Sequence, residues 1–267
     1  MKAVGAAVLT AALVTGGAVA VNASGGGDEN NPAPSGTAVR AAASDTGETE
    51  VYTGITPCRI LDTRSSTPIT SGTRNFDVSG ALASQGGSGS CGIPTNATSV
   101  SVNLTGISNG GSTGYVRGWA AGDSPVNATL LNFSPALNAS NLVTIPLCQG
   151  GPCPDAFTLQ VFGSADIVGD AVGYYQAPMY ASISTSGSVQ YGSSGVVSAT
   201  KVSTGRYDIT FDRSVQGCAG VASAFNWASS NEVSVDTNDN GAGVVSVGIV
   251  NESEAFEDAS FALTVTC

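Results

Sequence analysis

Apolar residues recur at every second position in four separate stretches of this chain, and that spacing constrains the fold more than any other feature. In residues 99–105, SVSVNLT, Val100, Val102 and Leu104 alternate with Ser101 and Asn103. In 157–162, FTLQVF, Phe157, Leu159 and Val161 alternate with Thr158 and Gln160. Residues 206–212 repeat the pattern with Tyr207, Ile209 and Phe211, and 261–267 with Phe261, Leu263, Val265 and Cys267. Successive side chains of a β-strand point to opposite faces, so a period of two marks a strand with one face on a core. Turns rich in Gly, Asn, Ser and Pro, such as SNGGSTG, AAGDSP and NDNGAG, separate the stretches. No run of ten or more residues carries the apolar stripe and caps of an amphipathic helix. The spacing predicts an all-β chain of short strands, built as β-sandwich or jelly-roll-like domains.

Strand signals begin near Val51, and what precedes them reads differently. Lys2, the apolar run at 3–14 and Ala18-Val19-Ala20 have the layout of a signal peptide cleaved near Ala20. Twelve apolar residues are too few for a membrane span, which takes about 20. Residues 21–50 are rich in Gly, Pro, Ser, Ala and acids, with almost nothing to bury, and read as a disordered linker. Alternation ends near Tyr175, Pro178 interrupts, and a new alternation starts at ASIST. The sequence therefore predicts one domain at 51–178 and a second at 179–267. No second hydrophobic run follows the leader, so the mature chain is expected in the extracellular space, free or held to a surface by noncovalent contacts.

Six cysteines, an even number, fit disulfides in an oxidising compartment. Six allow 15 connectivities. The two-domain division favours Cys58–Cys91, Cys148–Cys153 and Cys218–Cys267. In the last strand, parity carries Cys267 to the side of Leu263 and Val265, so its sulfur is expected to face the core. A zinc site lacks its usual ligands, because the chain has no histidine and no C-x-x-C pair. The formal net charge is −11, and loss of Lys2 with the leader leaves Lys201 as the remaining lysine. Such a surface repels phosphate backbones, which excludes nucleic acid as a partner.

Charged residues make up 11% of the chain, yet TPCRILDTR at 56–64 holds Arg59, Asp62 and Arg64 beside Cys58. On a regular strand, Arg59, Leu61 and Thr63 share one face and Ile60, Asp62 and Arg64 the other. Asp166 and Asp170, late in the same domain, are candidates to complete a network. Arginine forks on carboxylates clamp strands together, and the same forks hold sugar hydroxyls or carboxylates. The clamp is the leading expectation and a ligand site the alternative.

TPCRILDTR, followed by CGIPTNATSVSVNLT, GYVRGWAAGDSPVNATLLNF, NASNLVTIPL and ADIVGDAVGYY, resembles a domain of secreted proteins from actinobacteria and other soil bacteria. That domain starts with P-C-R-hydrophobic-x-D-T-R and ends with D-x-x-G-Y-F, where this chain has Tyr175 for the Phe. Residues 181–267, with GRYDITFDRSVQGC and FALTVTC, resemble a second secreted module, which often has His where Ala262 stands here. The resemblance implies an extracellular β-rich protein and no reaction.

Other chemistry is sparse. Without histidine there is no Ser-His-Asp or Cys-His nucleophile. Ser198 and Lys201 match S-x-x-K literally, but that motif needs a helical turn and its surroundings read as strand. The 20 acids make some carboxylate pair inevitable, which leaves a hydrolase as a remote alternative. Asp236, Asn238 and Asn240 match the first half of a calcium loop, but Val247 stands where the bidentate Glu belongs, and Asn240-Gly241 is a preferred hairpin turn. Tyr115 and Trp119, on one face if GYVRGW is extended, are a candidate sugar platform, and Trp227 is a third aromatic of interest. The expected function is a non-enzymatic binding or adhesion protein without cofactor, with an extracellular glycan or cell-surface component as partner. The alternative is an assembly module that oligomerises through the C-terminal domain.

Overall fold

The computed structural model describes residues 49–65, 67–135, 137–149, 153, 155–225, 231–237 and 243–267. The leader and nearly all of the linker at 21–50 lie outside them, as do Trp227, Asn238 and Asn240. Within them the chain is all-β and its strand pairs are antiparallel, and no helix is long and apolar enough to cross a membrane.

Seven strands occupy residues 51–176: β1 (Val51–Asp62), β2 (Ile69–Phe76), β3 (Ser99–Ser108), β4 (Gly114–Ala120), β5 (Leu131–Phe133), β6 (Ala139–Pro146) and β7 (Phe157–Gln176). The first half of β7 pairs with β2 and β4, and its second half with β1 and β3. β5 extends the first half from β4, and β6 extends the second from β3. Two four-stranded faces result, β2-β7-β4-β5 and β1-β7-β3-β6, with one apolar core. That core joins Phe76, Phe133, Phe157 and Leu159 of the first face to Leu61, Val102, Leu104 and Ile145 of the second. β7 passes between faces at a bulge, where Thr70 and Gly72 of β2 oppose Ser164 and Val161. Gly163 makes the bend with φ +93°, and a Cβ there would lie 2.8 Å from the Thr113 carbonyl oxygen.

Eight more strands follow: β8 (Met179–Ile183), β9 (Val189–Gly192), β10 (Val196–Ser203), β11 (Arg206–Phe211), β12 (Ala219–Ala224), β13 (Glu232–Asp236), β14 (Val244–Val250) and β15 (Phe261–Thr266). They form the sheets β12-β15-β8-β9 and β10-β11-β14-β13. Met179, Ala181, Ile183, Phe261, Leu263 and Val265 of the first pack against Tyr207, Ile209, Phe211, Val245, Val247 and Ile249 of the second. Each set is spaced by two along its strand, which is the alternation read from the sequence. Among the described residues no strand of 51–176 pairs with one of 179–266. At the junction, Arg213 Nη2 donates to the carbonyl of Ala177.

Three disulfides join Cys58 to Cys91, Cys148 to Cys153 and Cys218 to Cys267. The inward position expected for Cys267 is corrected. The last pair of β12 and β15 is Ala219 with Thr266, so both cysteines lie one residue beyond the ladder. Strand parity lapses where pairing stops, and Cys267 is exposed while Cys218 is half-buried. The bond laces two strand ends at the rim of the sheet.

Candidate functional site

The charged motif on β1 does not keep a simple alternation. Arg59 pairs with Asp170 and Leu61 with Gly169, which makes Ile60 an extra residue in the strand. Ile60 and Leu61 are both fully buried. The expectation that Arg59 faces away from Asp62 is therefore corrected, because one inserted residue reverses the parity beyond it. Nor does the strand reach Arg64. Asp62 Oδ1 accepts a hydrogen bond from the Arg64 backbone N–H at 3.1 Å, and the chain tightens into a 3-10 turn over Thr63–Ser65.

Arg59 Nε and Nη2 donate to the two oxygens of Asp170 at 2.6 and 3.3 Å, and Nη1 donates to Asp62 Oδ2 at 2.8 Å. Arg64 Nε and Nη2 donate to the two oxygens of Asp62 at 2.9 and 2.6 Å. The Arg64 fork holds the Asp62 carboxyl below the usual range, and Asp170 raises Arg59. Asp166 stands apart from the forks, accepting from Thr63 Oγ1 at 3.0 Å and Asn109 Nδ2 at 3.3 Å. The bulge is held from the other side by the loop after β2. Gln85 Nε2 donates to the Ile60 carbonyl at 2.7 Å, and Ser88 N donates to the Arg59 carbonyl at 2.8 Å. A Cβ at Gly87 would lie 2.5 Å from the Ile60 oxygen, and Cys58–Cys91 fastens the same loop. These bonds tie the first strand of the group to the last, with the guanidinium forks turned onto carboxylates of the fold itself.

A second cluster lies on the outer side of β4. Tyr115, Arg117 and Trp119 alternate there with the buried Val116, Gly118 and Ala120. Trp119 is 4% exposed, so the Tyr115–Trp119 platform expected from the sequence is corrected: the indole has no open face. The partner of Tyr115 is instead Phe162, its cross-strand neighbour on β7, with ring centroids 4.3 Å apart and planes 20° apart. The Arg117 guanidinium lies 5.1 and 5.2 Å from the two ring centroids and donates from Nη2 to Asn127 Oδ1 at 2.6 Å. Beside the rings is an open groove of about 580 Å³, completed by Thr113, Asn132, Phe133, Ser134 and Leu137. Among the described residues no Asp, Glu, Lys or Arg lines it. The sequence held a signal for Phe162 that alternation alone passes over, since it is an aromatic in phase with the polar Thr158 and Gln160.

The remaining candidates separate. Ser198 and Lys201 lie on strand β10, without the helical turn an S-x-x-K pair needs. Lys201 Nζ lies 2.5 Å from Asp258 Oδ2, and Gly205 N and Tyr207 Oη donate to Asp258 Oδ1 at 2.8 and 3.2 Å. Burial, with Asp258 alongside, pushes the Tyr207 phenol up to about 12. Asp236 is the last residue of β13, opposite Ser246 of β14, while Asn238 and Asn240 fall outside the described residues. Comparison with family models, with curated proteins and with solved structures found no match, so the groove and the charged cluster are judged on their own geometry.

Proposed function

We propose that this is a secreted or surface-associated, non-enzymatic protein that binds an extracellular saccharide in the groove at Tyr115 and Phe162. The observation that carries this reading is the lining: three aromatic rings, an exposed Leu137, one amide and several hydroxyls. Aromatic and apolar walls take the C–H faces of sugar rings, and a few placed polar groups take their hydroxyls. A glycosidase needs two carboxyl groups about 5–9.5 Å apart, and the groove's described lining offers none. Three disulfides fit the oxidising space outside the cytoplasm, in keeping with the secretory leader read from the sequence. The test is a screen of the secreted chain against neutral oligosaccharides, followed by titration calorimetry. Tyr115→Ala and Phe162→Ala are expected to weaken binding at least about tenfold, the loss of roughly 1.4 kcal/mol of ring contact, with melting temperatures close to wild type. No binding across the screen, or binding that Tyr115→Ala leaves intact, overturns the reading.

A further inference from the structure

Phe162, Tyr115 and Asn132 form one cross-strand row on the outer side of β7, β4 and β5. Neighbouring strands lie about 4.8 Å apart, so two rings and an amide stand side by side along the groove. Asn132 is exposed, and its side-chain amide has no hydrogen-bond partner among the described residues. Other outward polar side chains of this group are spent on one another. Thr158 Oγ1 donates to Asn75 Oδ1 at 2.8 Å, and the Thr105 and Ser140 hydroxyls lie 2.7 Å apart. Past β5 the chain turns, and the Leu137 N–H donates to the Ser134 carbonyl at 3.1 Å. Leu137 is 64% exposed and lines the groove together with Phe133. The groove thus joins an aromatic platform to a free amide and an exposed apolar side chain.

We propose that this groove takes an N-acetylated amino sugar, an inference that rests on the saccharide reading of the same groove. The acetamido group matches what a plain sugar leaves unused. The C–H face of a sugar ring needs one aromatic platform, which Tyr115 and Phe162 supply. Beyond that face an unsubstituted sugar has only hydroxyls to set against Leu137, and a hydroxyl placed on an apolar wall without a partner is unfavourable. An acetamido group brings a methyl for that wall. Next to the methyl it carries one N–H and one C=O, and the Asn132 carboxamide, which both donates and accepts, answers both. Charge selects the acetylated form. On a chain of net charge −11, no Asp, Glu, Lys or Arg lines the groove among the described residues. A free ammonium or a carboxylate would give up hydration there with no countercharge in return, and a neutral amide does not carry that cost.

A matched pair of probes tests this. Fully N-acetylated chitotetraose and cellotetraose share backbone and linkage and differ at one ring position, an acetamido group against a hydroxyl. In titration calorimetry with the secreted chain, the acetylated oligomer is expected to bind at least about tenfold more tightly, the scale of one net hydrogen bond and one buried methyl together. Asn132→Ala and Leu137→Ser, both at exposed positions, are expected to bring that ratio toward one with melting unchanged. Equal affinities in the wild type, or tighter binding of cellotetraose, overturn the proposal, as does a preference that both variants retain. Deacetylated chitotetraose controls for plain attraction between a cationic sugar and an acidic chain, and binding as tight as that of the acetylated oligomer overturns the proposal too. The two readings fail separately. Binding of another neutral oligosaccharide, lost in Tyr115→Ala and without acetamido preference, removes this inference alone, whereas no binding of any oligosaccharide removes both.

Discussion

At Asp62 a single carboxylate accepts from two arginines and one backbone N–H, and it lies where β1 turns into the Thr63–Ser65 turn. The two arginines are not equivalent. Arg59 spans Asp62 and Asp170, so its loss removes a side-chain tie between the paired strands β1 and β7 and leaves Asp62 facing only Arg64. Arg59→Ala is expected to cost roughly 2 kcal/mol, the scale of a hydrogen bond to a charged group, read from denaturant unfolding. Arg64 is the more exposed, with 52% of its side chain open to water, and Arg64→Ala should cost less. Acid should act through the same carboxylate. The folded pKa of Asp62 is depressed, first by the Arg64 fork. Its contribution is complete above the unfolded value of about 3.9 and drains away as pH falls through the lower folded value. Asp62→Asn is expected to be less stable at neutral pH and to show a shallower loss of stability below about pH 4. A variant with the same acid limb as wild type would remove Asp62 from that account.

The long strand β7 and the terminal strand β15 each depend on one local device. β7 serves two faces because it bends at Gly163, where a side chain would strike the Thr113 carbonyl. β15 lies in the middle of its sheet, between β12 and β8, yet ends at Thr266. The β12–β15 ladder stops at Ala219 and Thr266, and a covalent tie just beyond the last pair holds the two strand ends in register. Cys218–Cys267 supplies the tie, and closing its 49-residue separation is worth about 4 kcal/mol on a chain-entropy count. Cys267→Ser paired with Cys218→Ser is expected to cost roughly 2–5 kcal/mol. Exposure also sets the order of reduction. Cys153 and Cys267 are exposed, while Cys58 and Cys91 are both half-buried. Mild reductant with alkylation and peptide mapping should label the Cys148–Cys153 and Cys218–Cys267 pairs before Cys58–Cys91.

At the scale of the whole molecule, the two apolar clusters among the described residues share no member: one runs from Ile60 to Ala171, the other from Met179 to Val265. Two separate cores predict two calorimetric transitions. Leu263 is 1% exposed within the second. Leu263→Ala should cost about 2–5 kcal/mol, lower one transition and leave the other in place. A single transition shifted as a unit would show that the groups melt together.

The alternation of Val100, Val102 and Leu104, or of Phe261, Leu263 and Val265, determined strand type and buried side without any structure, because the period of two is a property of the extended backbone. The even cysteine count and the absence of histidine likewise limited the chemistry from composition alone. Only the tertiary structure decided what happens where the period breaks. The extra residue at Ile60 put Arg59 beside Asp62, and the end of pairing at Thr266 left Cys267 outside. Phe162, not Trp119, came to stack on Tyr115. These outcomes depend on which strands pair and in what register, so they rest on residues far apart in the sequence, as Arg59 is from Asp170, 111 positions away. Local spacing carries no information about a partner that distant; the bulge, the strand end and the groove exist only once both strands are in place.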